Sequence, residues 1–375
     1  MAAARAYLPG GRIGVDLDRL SALRARIMAR LIDAGAARVE PETLQPADLL
    51  LDLYGEDIRA RAFIVHDPTA GELALRPDFT VPVARLHMEG HAAPARYAYE
   101  GLVWRRQPPG ADRPSEYLQA GIEVIGGADP AAEEAEVYTL IAAALEGVDA
   151  APVTGDLGVI FAAIAAIETT EPRRAALRRH VWRPARFQEL LERFAAPPKP
   201  STTRAALLAA GPEERRAAIA GAGRFVGLRE ESEILARLDA LAEDAAAPPL
   251  PHEQKALIEA ILAVKGRSDA ALARLRAMNL APMRSALDRM ERRLDALEAR
   301  GVDAGALPFD AAFGRGLEYY DGFVFEFRSP RPGLPPLGGG GRYDALTAIL
   351  GAGAEAPAVG GMVRPEALLA AGADA

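Results

Sequence analysis

The 375-residue chain contains no cysteine, so neither a disulfide framework nor a thiolate metal site is open to it. Its five histidines are scattered, without the His-x-x-x-His spacing that sets two imidazoles on one helical face, and no metal is expected. Long apolar runs are also lacking. No window reaches transmembrane length, and the stretch from Met1 to Gly14 has no basic region followed by an apolar segment. These absences predict a cytoplasmic chain with no membrane attachment. A basic excess is missing too: 44 Lys and Arg face 52 Asp and Glu, for a net charge of −8. A protein that grips a polyphosphate backbone usually carries a basic face, so nucleic acid is not an expected main partner. What is present is core material, 50% hydrophobic and 26% charged residues, enough for two or three structural units. Alanine is so abundant that helices are assigned from spacing and not from alanine content.

From Asp16 to Gly35, Leu20, Leu23, Ile27 and Leu31 recur every three or four residues, and Gly35 stands where a left-handed cap ends a helix. A short strand, Ala36 to Glu40, then meets Pro41. Ala62 to His66 and Leu73 to Arg76 read as a hairpin turned by Asp67-Pro68-Thr69-Ala70-Gly71. Arg96 to Arg106 and Tyr117 to Ile125 read as an antiparallel pair, separated by a proline-rich loop, Gln107 to Pro114. An acidic helix is predicted from Asp129 to Leu145, and helical patterns with short breaks from Ala151 to Arg300. The last of these carries an apolar stripe, Leu287, Met290, Leu294 and Leu297, with Arg and Glu on the other faces and Gly301 as its stop. Short strands return at Phe309 to Phe313 and Phe323 to Phe327. A glycine run, Gly338 to Gly341, follows, and a short helix starts near Pro365.

Strand alternation narrows the candidates for chemistry, because residues two apart share a face. Gln119, Gly121 and Glu123 point one way while Ala120, Ile122 and Val124 point the other; on the preceding strand Tyr97, Tyr99, Gly101, Val103 and Arg105 share a face, which sets Arg105 over the same surface as Glu123. Taken alone, such a polar face usually means only the solvated side of a half-buried sheet. Asp78 with Thr80 reads equally as a helix cap, and Gly338 to Gly341 as a linker or as a close backbone approach. Arg315, between two glycines and followed by Tyr319 and Tyr320, presents a guanidinium plane suited to a carboxylate, or is an ordinary turn arginine.

Four segments together resemble the histidyl-tRNA synthetase family, in the family's order. Leu75-Arg76-Pro77-Asp78-Phe79-Thr80 is similar to its Leu-Arg-Pro-Glu-Gly-Thr, with Asp78 one methylene shorter. Tyr99 to Gly126 resembles class II motif 2, including Arg105, Arg113, Gln119 and Glu123. Arg315-Gly316-Leu317-Glu318-Tyr319-Tyr320 looks like the family's histidine-recognition signature, and Gly339-Gly340-Gly341-Arg342-Tyr343-Asp344 matches its Gly-Gly-Arg-Tyr-Asp. The resemblance implies an α+β fold: a class II synthetase-like antiparallel sheet with flanking helices, split into a first core part (1–150), a helical insertion (151–300) and a second core part (301–375), with a dimer interface near Pro41. It also implies a histidine-binding set made of Asp78, Thr80, Arg105, Gln119, Glu123, Arg315, Tyr319, Tyr320 and Tyr343. Asp78 and Gln119 suit an ammonium, Arg105 or Arg315 a carboxylate, and Glu123 with Tyr320 an imidazole.

The family's ATP-handling positions are altered. The glutamate two residues after the motif 2 arginine is Gln107, the arginine two residues after Arg113 is Ser115, and the motif 3 arginine aligns with Ala367. Two lost guanidiniums remove charge-assisted bonds worth roughly 1.5–3 kcal/mol each, so adenylation is expected to be lost and no catalytic residue is assigned. Arg364, three residues before Ala367, is set aside because Pro365 places it outside the following helix. The sequence stops soon after motif 3, with no C-terminal anticodon-binding domain in view, and no tRNA is expected as partner. This combination resembles the regulatory subunits of ATP phosphoribosyltransferase. That implies a non-catalytic subunit without cofactor, a homodimer within a hetero-octamer built with a short-form catalytic subunit, and histidine as ligand in feedback. A truncated histidine-activating enzyme and a histidine-binding module with another partner stay open beside it.

Overall fold

A computed structural model describes residues 13–48, 53, 59–90, 94–108, 114–197, 199–223, 230–314 and 319–373. The chain forms two compact units, one made of Ala162–Ile261 and the other of the segments on either side of it. In the second of these, helix α1 (Val15–Asp33) buries Leu20, Leu23, Ile27 and Leu31, the four residues of the predicted stripe, and Gly35 follows it at φ +86°. Each such burial stabilises by roughly 1.5–3 kcal/mol.

Strands β1 (Ala37–Arg38), β2 (Leu44–Pro46), β3 (Ile64–Asp67) and β4 (Gly71–Leu75) come next. The last three make a small antiparallel sheet in the order β2-β4-β3. The β3–β4 turn is held by Asp67, whose Oδ1 accepts from the amides of Thr69 and Ala70, both at 2.8 Å. Helix α2 (Thr80–Gly90) leads to the long antiparallel pair β5 (Ala95–Trp104) and β6 (Glu116–Ile125), within a residue or two of the predicted limits. Helix α3 (Pro130–Ala144) is capped by Asp129, which accepts from the amide of Ala132 at 3.2 Å.

β5 and β6 belong to a nine-stranded sheet completed by β7 (Ala151–Asp156), β8 (Lys265–Arg267), β9 (Pro308–Asp310), β10 (Phe323–Arg328), β11 (Gly338–Arg342) and β12 (Ala358–Val363), in the order β1-β5-β6-β12-β11-β10-β7-β9-β8. Its pairings are antiparallel except β1–β5 and β7–β9. One face carries Ala120, Ile122 and Val124 of β6 and Phe323, Phe325 and Phe327 of β10; α1 and α3 close over it, with Val137, Tyr138 and Ile141 of α3 in the same core. α2 lies on the opposite face, so that face of β6 is where Gln119, Gly121 and Glu123 are found.

The glycine run is therefore sheet and not linker. β12 supplies two more glycines, and each answers a close approach: a Cβ at Gly361 would press on Val137 and Ile141, while one at Gly360 would overlap the Glu123 carboxylate.

Two features depart from the sequence pattern. β7 lies in the stretch expected to be helical; its six residues pair along β10, a partner that the chain reaches only 167 residues later. The helix Arg284–Glu298 also belongs to the sheet-bearing unit and packs on α3, so the compact helical unit spans Ala162–Ile261 and not 151–300. That same helix turns Arg293 inward, 2% exposed, although its arginines were expected on the outer faces. The physical reason is a buried partner. Arg293 donates to Glu134 Oε2 at 2.8 Å, reaches Asp156 Oδ2 at 3.0 Å, and lies over the Phe323 ring at 4.1 Å. Arg342 takes the other oxygen of Glu134, and also donates to Asp344 Oδ1 at 2.8 Å and to the Pro130 carbonyl at 2.9 Å.

The helical unit has its own core, with Phe187, Leu190, Leu191 and Phe194 inside. Its Arg173 is also buried, held by Asp244 at 2.6 Å and the Pro248 carbonyl at 2.8 Å. Among the described residues, no helix is long and apolar enough to cross a membrane.

Burial alone would raise the Glu134 pKa, but Arg293 and then Arg342 outweigh it and hold the carboxyl below its ordinary value. Removing the acid leaves two guanidiniums buried without their shared counter-charge. Glu134→Gln is expected to cost roughly 3–5 kcal/mol of unfolding free energy in urea titrations; a loss under about 1 kcal/mol would show that the network does not hold this face together.

Candidate functional site

Arg76 builds the approach to the site. Its Nε donates to the Leu102 carbonyl at 3.0 Å and its guanidinium lies 4.2 Å from the Phe79 ring centre, while Phe79 stacks on Tyr99 at 4.4 Å. This locks Pro77 and Asp78 against β5. Arg105, just past the end of β5, donates from Nε to the Pro77 carbonyl at 2.8 Å, and its Nη2 stands 3.5 Å from Asp78 Oδ2. The Tyr319 hydroxyl donates to the same oxygen at 3.5 Å.

These groups line a small cavity of about 40 Å³ together with Thr80, Tyr99, Gln119, Tyr320, Gly361, Met362 and Arg364. Gln119 is 1% exposed, and its Oε1 has no hydrogen-bond partner. A buried acceptor left empty costs free energy unless something fills it, and Gln119 is a wall of this cavity.

Glu123 shares the strand face of Gln119 but not its role. Fully buried, it accepts from Thr80 Oγ1 at 2.8 Å, the Tyr343 hydroxyl at 2.6 Å and the Tyr99 hydroxyl at 3.3 Å. It stands behind the wall that Thr80 and Tyr99 form. Tyr343 is likewise behind the cavity, its ring 6.0 Å from that of Tyr319. The structure thus gathers Asp78, Thr80, Arg105, Gln119, Tyr319 and Tyr320 around one space and sets Glu123 and Tyr343 in its support. Arg315 lies outside the described residues, as does Arg113.

A second, larger cavity of about 470 Å³ adjoins the first and shares Arg105 and Arg364 with it. Arg61, Gln107, Tyr117, Glu366 and Ala367 are among its other walls. Gln107 donates its amide to the carbonyls of Arg105 at 3.1 Å and Pro114 at 3.3 Å, tying together the two ends of the loop. Arg364, set aside by the sequence pattern, does precede the helix; yet it lines both cavities. Its only signal in the sequence was its place at the end of β12, two residues past Met362 on the same face.

The sheet order, the helix-lined apolar face and this site can be compared with known proteins. The family model described as Histidyl-tRNA synthetase matches residues 15–247 and 229–368. A solved structure described as an ATP phosphoribosyltransferase regulatory subunit/histidyl-tRNA synthetase from Bacillus halodurans has a TM-score of 0.68, covering 99% of this chain and 83% of that one at 23% identity. A histidine–tRNA ligase subunit from Alicyclobacillus acidocaldarius has a TM-score of 0.62, covering 98% of this chain and 97% of its own at 25% identity. The fold is that of a class II, histidyl-tRNA synthetase-like core. Among curated relatives, the ATP phosphoribosyltransferase regulatory subunit of Mesorhizobium japonicum is 36% identical over 92% of this chain and 95% of its own, and that of Brucella anthropi 35% identical over 87% and 90%. The chain belongs to the histidyl-tRNA synthetase family and, within it, to the ATP phosphoribosyltransferase regulatory subunits.

Burial is the main cause that lifts the Glu123 pKa to about 8, against the downward pull of Tyr343, Thr80 and Tyr99. Its folded value exceeds the ordinary 4.5, so the protonated form is favoured on folding. The sign follows from linkage: this contribution is complete below pH 4.5 and is lost as pH rises from there through about 8. Unfolding free energies of the wild type should therefore fall across that window more steeply than those of Glu123→Gln. Parallel curves would mean that Glu123 folds with an ordinary pKa.

Proposed function

We propose that this chain is the non-catalytic regulatory subunit that activates a short-form ATP phosphoribosyltransferase in the first step of histidine biosynthesis, and that its small cavity binds histidine as the feedback ligand. The observation that carries the ligand reading is an enclosed cavity lined by an acid, Asp78, a guanidinium, Arg105, and Gln119, whose buried Oε1 has no hydrogen-bond partner. Groups of both signs in one enclosed space match a zwitterion. The Asp78–Arg105 and Asp78–Tyr319 distances, both 3.5 Å, are longer than the 2.7–2.9 Å of a closed charge-assisted bond. They are the contacts that would yield, because a 40 Å³ space holds only a few waters until an amino acid opens it.

The regulatory reading is supported by the names of the relatives. The lack of catalysis is supported by the second cavity, where Ala367 stands at the position of the family's motif 3 arginine and Gln107 spends its amide on main-chain carbonyls. The proposed assembly is a homodimer within a hetero-octamer, without cofactor and without tRNA. Histidine coupling then needs only a difference in affinity between two states of that complex.

Mixing the full chain with a short-form catalytic subunit should raise its phosphoribosyl transfer rate at least tenfold and increase its size in solution. Histidine should reverse the activation, and the chain alone should give no histidine-dependent pyrophosphate–ATP exchange. No change in rate or size on mixing, or exchange at an enzymatic pace, would overturn the reading.

A further inference from the structure

Arg364 follows the last residue of β12 and precedes Pro365, the first residue of the helix Pro365–Ala371. It is held on several sides. The backbone amide donates to the Leu337 carbonyl at 2.8 Å, Nη1 donates to the Pro336 carbonyl, and the guanidinium lies 5.8 Å from the Tyr117 ring centre. The helix it leads is pinned in turn, since Glu366 accepts from the Leu118 amide at 2.9 Å. A guanidinium fixed in this way is pre-organised, and its five N–H donors exceed what the Pro336 carbonyl and the Tyr117 hydroxyl can use.

Among the described residues, Arg364 and Arg105 are the two shared by both cavities, so they form the boundary between them. Burial holds the Arg364 pKa below the ordinary arginine value; Tyr117 opposes this and the neighbouring charge of Arg105 adds to it. Two cations of like sign at one wall are relieved by an anion between them. Asp78 and Gln119 line the same cavity and supply the acceptors that an ammonium needs.

We propose that Arg364 and Arg105 together hold the free α-carboxylate of the amino acid in the small cavity, so that Arg364 confines this site to ligands that carry one. The proposal rests on the reading that this cavity takes histidine, and it names the residue that sets the ligand class. A ligand whose carboxylate is missing or esterified leaves both guanidiniums without the anion that it would supply.

Calorimetric titration of the full chain with histidine, histamine and histidine methyl ester tests this. The wild type should prefer histidine over the other two by roughly 10- to 100-fold, the range of one or two charge-assisted bonds. Arg364→Gln, in which Arg105 remains, should lose most of that preference, down to roughly tenfold or less, the range of one charge-assisted bond. Arg364→Lys, which keeps the charge but loses the two-pronged fork, should retain part of the preference and serves where the glutamine variant does not fold, as judged by its Tm without ligand. A preference for histidine that persists undiminished in either folded variant, or a wild type that binds histamine as well as histidine, overturns the role of Arg364 while leaving histidine binding intact. A wild type that binds none of the three overturns the functional reading itself, and the proposal with it.

Discussion

The placement of β11 depends on Arg342. Four consecutive glycines, Gly338 to Gly341, give that strand no side chain with which to choose a face or a register. Arg342 is the first side chain after them, fully buried, and it is fixed by Glu134 of α3, by Asp344 and by the Pro130 carbonyl. A slip of one residue would pull the guanidinium from all three partners at once. Once Arg342 is set, Tyr343 is delivered to Glu123 and Asp344 to the start of the next helix, where it also accepts from the Ala358 amide at 2.8 Å. The Gly-Gly-Arg-Tyr-Asp motif is thus a register lock first, and its tyrosine reaches the support of the site only because the lock holds.

The same network explains how a charged cluster survives in a core. Glu134 gives one oxygen to each of two arginines, and Arg293 adds Asp156 on the far side, so the cations and acids alternate and few donors are left unused. The links run from α3 to β7, β11 and the helix Arg284–Glu298. They join parts of the chain on both sides of the helical unit into one sheet-bearing body, which apolar contacts alone would pack with less specificity.

The sequence made the periodic elements legible and the depth of side chains illegible. Leu20, Leu23, Ile27 and Leu31 declare their helix by spacing, and β5 and β6 declare theirs by alternation, because both signals are local. β7 could not be read, since its pairing with β10 depends on residues far along the chain. Arg293 was misplaced for a related reason: it sits three residues after Met290 and four before Leu297, on the apolar side by geometry, but its buried partners are far back in the chain, Glu134 at a separation of 159 residues and Asp156 on β7. Alternation also assigns a face and nothing more. Gln119 and Glu123 share one, yet Gln119 faces the cavity while Glu123 lies behind Thr80 and Tyr99.

Gln107 shows how an amide serves the wall of the larger cavity. A glutamate at that position has acceptors only, and could not donate to the carbonyls of Arg105 and Pro114 as the amide does. The amide therefore ties the loop ends together and brings no charge of its own to the wall of the larger cavity. Ala367, buried there at 6% exposure, offers that cavity only a methyl group. Arg61, Arg105 and Arg364 remain on that wall, but Arg61 is engaged by the Arg106 carbonyl, Arg105 by that of Pro77 and Arg364 by that of Pro336. On the proposed reading, the cationic groups of that wall are each tied to the protein's own backbone, while Arg105 and Arg364 keep further donors for a ligand in the neighbouring small cavity, where Gln119 also offers an unpartnered acceptor.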